Sequence, residues 1–421
     1  MLEHYFIKPE TLDRIRGSWL GEPIESYVTW LTEQGYAARN VHRRVPMLMH
    51  FAEFTRDHGA STWEELPGLV DAFVEHWVRT RRRQGRGKEA RRQVAGAARV
   101  PVEQMLRLLL PDYSGHRRPP LPPPFIEAAP GFFDYLRKER GLRELSIRLY
   151  VHHLRRFETY LKHIELVGLS ALSPAVLSAF TIQSSRELGK HALNGLCGHL
   201  RIFLRYLYRE RLTPHDLSAS IDCPRLYRLS SIPRSISWDE VRCVLENVDR
   251  RSSLGKRDYA ILLLLVTYGL RAREIAALSL DSIDWQHERL QVPDRKAGHN
   301  TAFPLSSVVG EALVDYLQHA RPRSSHRTLF LCTKAPYQPV SFAVISQRTR
   351  RYLRSAGILV ARPGSHTLRH TCVQRLVQAQ FPLKVIGDYI GHSRAKSTEI
   401  YTKIDLEGLR DVALGDGEAV V

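Results

Sequence analysis

Two proline-punctuated stretches limit what this chain can fold into. Residues 117–125, RRPPLPPPF, hold five prolines. Proline has no amide proton to donate and a fixed φ, so the stretch is barred from regular helix and acts as a stiff, extended spacer. Residues 223–237, CPRLYRLSSIPRSIS, are polar, basic and again broken by proline. A chain of 421 residues interrupted in this way is expected to fold as separate units. These are a helical unit over 1–116, a second over 126–222 and a third over 236–421, joined by spacers 117–125 and 223–235.

The first two units read as copies of one another. Gly35 and Tyr36 match Gly141 and Leu142. Val41, Val45, Leu48, Phe51 and Phe54 then match Ile147, Val151, Leu154, Phe157 and Tyr160 at one constant offset. These positions recur with helical spacing, so the matched face is the buried face of an amphipathic helix. Further on, LPGLVDAF (66–73) echoes LSPAVLSAF (172–180) after a slip of one residue. Both units are expected to be all-helical.

The third unit alternates. Ser237 followed by Glu240 forms a capping box that opens a helix through Val248. An apolar helix is expected over 258–268, closed by Gly269, and another over 272–278. Strand patterns at 289–293 and 301–305 flank a turn at 296–299, and helices resume at Ser306 and near His366. The expected fold is mainly α, with one small antiparallel sheet in the third unit.

Charge indicates the partner. The 62 lysines and arginines outnumber 44 acidic residues, for a formal charge of +18, which favours a polyanion such as DNA. The densest run is RTRRRQGRGKEARR, in which Arg79, Arg81, Arg82, Arg83, Arg86, Lys88, Arg91 and Arg92 are candidate phosphate-backbone contacts. Five scattered cysteines without a CxxC pair fit a reducing compartment rather than a disulfide framework or zinc ribbon. The first residues lack a signal-peptide pattern, and the longest apolar run, 260–266, is far too short to span a membrane. A cytoplasmic protein with no membrane partner is expected.

Breaking a DNA phosphodiester without a metal requires fixed cations aimed at the non-bridging oxygens, a nucleophile in line, and an acid for the departing 5′ oxygen. The third unit holds candidates for each. Arg271 stands in YGLRAREI, His366 and Arg369 lie three apart in HTLRHT and so share a helix face, His392 follows glycine in IGHS, and Tyr401 stands in TEIYTK. Lys296 lies in the turn between the two strands, with Arg295 and Lys334 as rival cations.

These motifs, TYGLRAREIAALSLDSIDW, HTLRHTCVQRLVQAQ, IGDYIGHS and STEIYTKID, resemble the signature boxes of the tyrosine recombinase (phage integrase) family, in order and spacing. The second unit resembles that family's helical core-binding domain, and the first resembles an additional domain of the same SAM-like type. The resemblance implies that Arg271 and Arg369 clamp the scissile phosphate, that His392 donates to it, and that His366 positions or deprotonates the tyrosine. It implies Lys296 as general acid, Glu274 as the residue orienting the cations, and Tyr401 as the nucleophile that forms a 3′-phosphotyrosine. It further implies a homotetramer on paired double-stranded DNA sites, with other recombinases as candidate partners. No cofactor, metal or ATP is implied, because the energy of the broken bond is held in the phosphotyrosine.

Other readings of the same residues stay open at this level. His366, His370 and His392 could form a three-histidine zinc set, although Thr367 stands where an HExxH nuclease carries glutamate. A DNA-binding protein with a degenerate recombinase domain and a type IB topoisomerase are the remaining alternatives.

Overall fold

The structure is a computed structural model and describes residues 1–81, 87–115, 121–225, 235–293 and 301–391. Among the expected site residues, Arg82, Arg83, Arg86, Lys296, His392 and Tyr401 lie outside the described residues, as does the side chain of Lys88. The chain divides into two compact units: Met1–His116 together with Ser231–Val421, and Arg117–Ser230. Among the described residues four hydrophobic clusters fill them, three in the first and one in the second.

The N-terminal cluster lies among α1 (Pro9–Arg16), α2 (Gly21–Glu33), α3 (Ala38–Asp57), α4 (Leu66–Thr80) and α5 (Lys88–Leu109). The second unit holds α6 (Phe132–Lys138), α7 (Glu144–His163), α8 (Pro174–Glu187) and α9 (Lys190–Arg209). The repeat read from the sequence is a structural one. Gly35 and Gly141 both take positive φ, 73° and 60°, and each precedes a helix of 20 residues. On α3, Val41, Val45, Leu48, Phe51 and Phe54 are buried; on α7, Ile147, Leu154 and Phe157 are buried and Val151 and Tyr160 half-buried. In both bundles the last helix is the hub: α2, α3 and α4 pack on α5, and α7 and α8 pack on α9.

The C-terminal part holds α10 (Trp238–Glu246), α11 (Ser253–Thr267), α12 (Ala272–Ala277), β1 (Ile283–Asp284), β2 (Arg289–Val292) and β3 (Thr301–Pro304). It continues with α13 (Ser307–His319), α14 (Phe342–Ser355), α15 (Ser365–Gln378) and α16 (Leu383–Ile390). The expected capping box is present: Glu240 N–H donates to Ser237 Oγ at 3.1 Å, and Ser237 N–H to Glu240 Oε2 at 2.7 Å. The apolar helix α11 begins at Ser253 rather than Asp258, because Ser252 Oγ caps it by accepting from Gly255 N–H at 3.0 Å. Buried α11 packs against α13, α14 and α15 and forms the centre of this core.

The sheet is antiparallel in the order β1-β2-β3. The strand β1 was not expected; it is two residues long, too short to show alternation, and exists through pairing of Ile283 with Leu290. Val292 pairs with Thr301, so the expected hairpin forms, and its connection, which carries Lys296, lies outside the described residues. Among the described residues no helix is long and apolar enough to cross a membrane.

Candidate active site

The site is built where α11 ends. Gly269 follows the helix at φ +58°, a left-handed conformation that favours glycine. A Cβ there would lie 3.2 Å from Cys372 Sγ and 3.4 Å from Ile390 Cγ2. Glycine thus lets the exit of α11 press against α15 and α16. Two further bonds fasten that contact: Cys372 Sγ donates to the Thr267 carbonyl at 3.4 Å, and Tyr389 Oη donates to the same carbonyl at 3.1 Å.

This junction places Arg271 at the N-cap of α12. Glu274 reaches back to it twice. Its Oε2 accepts from Arg271 N–H at 2.8 Å and its Oε1 from Arg271 Nη1 at 2.7 Å. Glu274 is buried and Arg271 is partly exposed, so the carboxylate anchors the guanidinium from its buried side. The remaining terminal nitrogen, Nη2, donates to the Gly391 carbonyl at 2.9 Å.

Arg369 and His366 stand one turn apart on α15, as expected. Arg369 is buried, only 3% exposed. Its Nη1 donates to the Gly269 carbonyl, and its Nη2 donates to the Ile390 carbonyl at 2.7 Å. His366 is exposed at its surface but desolvated on its protein side. That desolvation, and then the positive charges of Arg369 and Arg271, hold its imidazole below the ordinary histidine pKa. The three residues therefore share one electrostatic environment although they come from two distant segments. A neutral imidazole can accept a proton beside two fixed cations, which suits activation of a nucleophile at a phosphate.

The His366 and His370 rings lie with centroids 6.2 Å apart. Among the described residues no group of three histidine, cysteine, aspartate or glutamate side chains is placed to hold a metal ion. In the N-terminal bundle, Arg79, Arg81, Arg91 and Arg92 line a cleft of about 720 Å³ with Phe54, His58 and His76. Arg81 stacks on Trp77, its guanidinium carbon 4.0 Å from the ring centre.

Sequence reasoning missed two supports. The carbonyls of Ile390 and Gly391 were not foreseen as partners for the arginines; the signal was Gly391, a left-handed C-cap at φ 66° that ends α16. Buried Asp258, which accepts from buried Arg257 Nη2 at 2.7 Å and from half-buried Arg348 Nε at 2.6 Å, fastens α11 to α14. Nothing in the spacing of those residues announces it.

Two braced arginines beside a histidine make a site whose charge and proton-accepting group suit a phosphate. The phage integrase family matches residues 234–407, and its N-terminal SAM-like domain matches residues 130–211. A putative integrase/recombinase of Sinorhizobium fredii, y4rA, is 31% identical over 406 residues, which is 93% of each protein. The tyrosine recombinase XerD of Lacticaseibacillus casei is 28% identical over 282 residues, 66% of this chain and 94% of that protein. Among solved structures, XerH bound to a palindromic difH substrate aligns with a TM-score of 0.55 at 16% identity, covering 85% of this chain and 97% of that one. A lambda integrase dimer on a COC′ core site aligns at 0.52 and 17%, covering 64% and 92%. The latter two show the shared fold. The chain belongs to the tyrosine recombinase (phage integrase) family, and it is a site-specific recombinase.

Proposed function

We propose that this recombinase cuts and rejoins double-stranded DNA through Tyr401. The tyrosine oxygen bonds to the scissile phosphorus as the bond to the 5′ oxygen breaks, leaving a 3′-phosphotyrosine. His366 takes the phenolic proton and Lys296 gives one to the departing 5′ oxygen. A 5′ hydroxyl from the partner site reverses the step and completes the exchange. Arg271 and Arg369 neutralise the charge that builds on the non-bridging oxygens, with His392 donating to the same phosphate and Glu274 orienting Arg271.

The convergence of Arg271 and Arg369 on one end of α16, with the protonated form of His366 disfavoured by burial and by both, carries this reading. The family match supports it, because it spans 234–407 and so includes Tyr401. Paired cuts call for a tetramer on two sites, with this chain alone or with a second recombinase. The units over 1–116 and 126–222 hold the duplex, the first with the basic run from Arg79 to Arg92, and the reaction takes place in the cytoplasm. A nicked suicide duplex, which loses its 5′ hydroxyl after cleavage, tests the chemistry. Wild-type protein accumulates a covalent adduct, and Tyr401→Phe forms none while binding the same duplex. An adduct in that variant would remove Tyr401 from its role.

A further inference from the structure

The N-terminal bundle contains a buried cation that its fold does not require. Arg44, on α3, is 8% exposed, yet among the described residues it makes no ion pair. Its Nη1 donates to Tyr27 Oη at 2.7 Å and to Gln104 Oε1 at 2.9 Å, both neutral acceptors, and its guanidinium lies over Tyr36 at 4.7 Å. Its Nε is buried with no hydrogen-bond partner. Desolvating a guanidinium without a counter-charge is unfavourable.

The internal repeat shows that the position itself asks for no charge. At the offset that matches Gly35 to Gly141, the second bundle carries Phe133, Leu142 and Tyr150 where the first carries Tyr27, Tyr36 and Arg44. Phe133 and Tyr150 are buried in the same kind of bundle core. The polar cluster is thus an addition to a scaffold that also folds with an apolar one.

Arg44 opens onto a cleft of about 200 Å³ among α3, α4 and α5. Arg43 and Arg81 also line it, with Trp77, His50 and Met47, and none of its described lining residues is acidic. Arg43 and Arg81 are exposed at the rim, and Arg81 is set by stacking on Trp77. A small cleft with a buried cation at its base and two exposed ones at its mouth fits a tetrahedral oxyanion.

We propose that this cleft is a phosphate-binding site, with Arg44 at its base and Arg43 and Arg81 at its mouth. The phosphate belongs either to a DNA backbone or to a free phosphate or nucleotide. The site extends the reading of the first bundle as a DNA-holding unit, but its chemistry does not depend on Tyr401, so adduct formation on the suicide duplex scores the catalytic reading separately.

Thermal unfolding of the full chain in inorganic phosphate, against chloride at matched ionic strength, tests the site. An Arg271→Ala background keeps the catalytic cluster from contributing. Phosphate should raise the Tm, and Arg44→Met should abolish that rise while melting no lower than its parent in chloride, because it removes an uncompensated buried charge. Arg43→Ala with Arg81→Ala, which leaves the core intact, should also abolish it and keeps the test decisive if Arg44→Met folds poorly. Binding of a scrambled duplex across a salt series separates the sources. For a DNA phosphate the slope of log affinity against log salt falls by about one in Arg44→Met; for a free phosphate it is unchanged although the Tm response is lost. A Tm rise that survives the rim substitutions, with an unchanged salt slope, would overturn the proposal.

Discussion

Arg271 and Arg369 donate to consecutive carbonyls at the end of α16, Arg271 Nη2 to Gly391 at 2.9 Å and Arg369 Nη2 to Ile390 at 2.7 Å. Each guanidinium thus ties the junction below Gly269 to the segment that leads toward His392 and Tyr401. A planar fork can hold such a carbonyl and still present another edge to a phosphate, whereas an ammonium cannot serve both in fixed directions. Arg271→Lys keeps the charge but cannot span Glu274, Gly391 and a phosphate together. Cleavage of the suicide duplex should fall about 10²- to 10³-fold, with duplex affinity changed only a few-fold. Equal activity in Arg271→Lys would show that only its charge matters.

Gly269 makes the same junction sensitive to a single methyl group. Gly269→Ala places a Cβ 3.2 Å from Cys372 Sγ on a residue already at positive φ. The expected cost is about 1–3 kcal/mol of stability, read as a lower urea midpoint with an unchanged m value. Cleavage should fall further than the loss of folded protein accounts for, because Arg369 donates to the Gly269 carbonyl.

His366 predicts an acid limb in the rate profile. Desolvation, then Arg369, then Arg271 lower its pKa, so its imidazole is neutral at pH 7 and able to accept the tyrosine proton. Cleavage should hold steady as pH drops to about 6.5, the ordinary histidine value, and fall only below it as the ring protonates. In His366→Gln the rate is low and that limb disappears. A wild-type limb centred above 6.5 would contradict the electrostatics of the site.

The second bundle carries a separate acid sensitivity. His153 Nδ1 and His199 Nδ1 lie 2.7 Å apart, so one shared proton is the most they accommodate. Burial, then His153, pushes the His199 pKa down to about 4; burial, then His152 and Arg156, lowers that of His153. The unfolded chain therefore binds more protons than the folded one below the unfolded histidine value, and stability declines as pH falls from about 6.5 toward 4. His199→Phe, which keeps a ring to stack on Tyr150, should flatten that decline in urea titrations at successive pH values. An unchanged pH dependence would place the acid sensitivity elsewhere.

The features legible in the sequence are those written in local periodicity or local capping. The Gly35 and Gly141 turns, the faces of α3 and α7 and the Ser237–Glu240 box each depend on residues a few positions apart, and each appears where the pattern put it. The start of α11 was misplaced because its first turn, with Gly255, Lys256 and Arg257, precedes the apolar run from which the helix was read. The two-residue β1 has too little length for a period and is imposed by its partner strand. In the site, the grouping of Arg271, His366 and Arg369 followed from residue type and from the resemblance of their motifs to the family's boxes. Their braces did not, because the carbonyls of Gly269, Ile390 and Gly391 carry no side-chain signature and depend on how α11, α15 and α16 meet.

Lys296 offers a test that separates proton donation from simple charge. The register of β2 and β3 puts this lysine in the connection between Val292 and Thr301. A 5′ alkoxide is a poor leaving group, so a variant lacking the general acid should cleave ordinary DNA very slowly, on the order of 10²- to 10⁴-fold below wild type. A duplex with sulfur in place of the bridging 5′ oxygen leaves as a thiolate, which needs little protonation. Lys296→Ala should then cleave the sulfur-bridged duplex at close to the wild-type rate, while Arg369→Ala should stay slow on both if it has the proposed role, because the charge on the non-bridging oxygens is the same in each. If Lys296→Ala is equally slow on the two substrates, the lysine acts on the phosphate rather than on the leaving group. Arg295→Ala and Lys334→Ala, tested on the same pair of duplexes, would then show which rival cation supplies the proton.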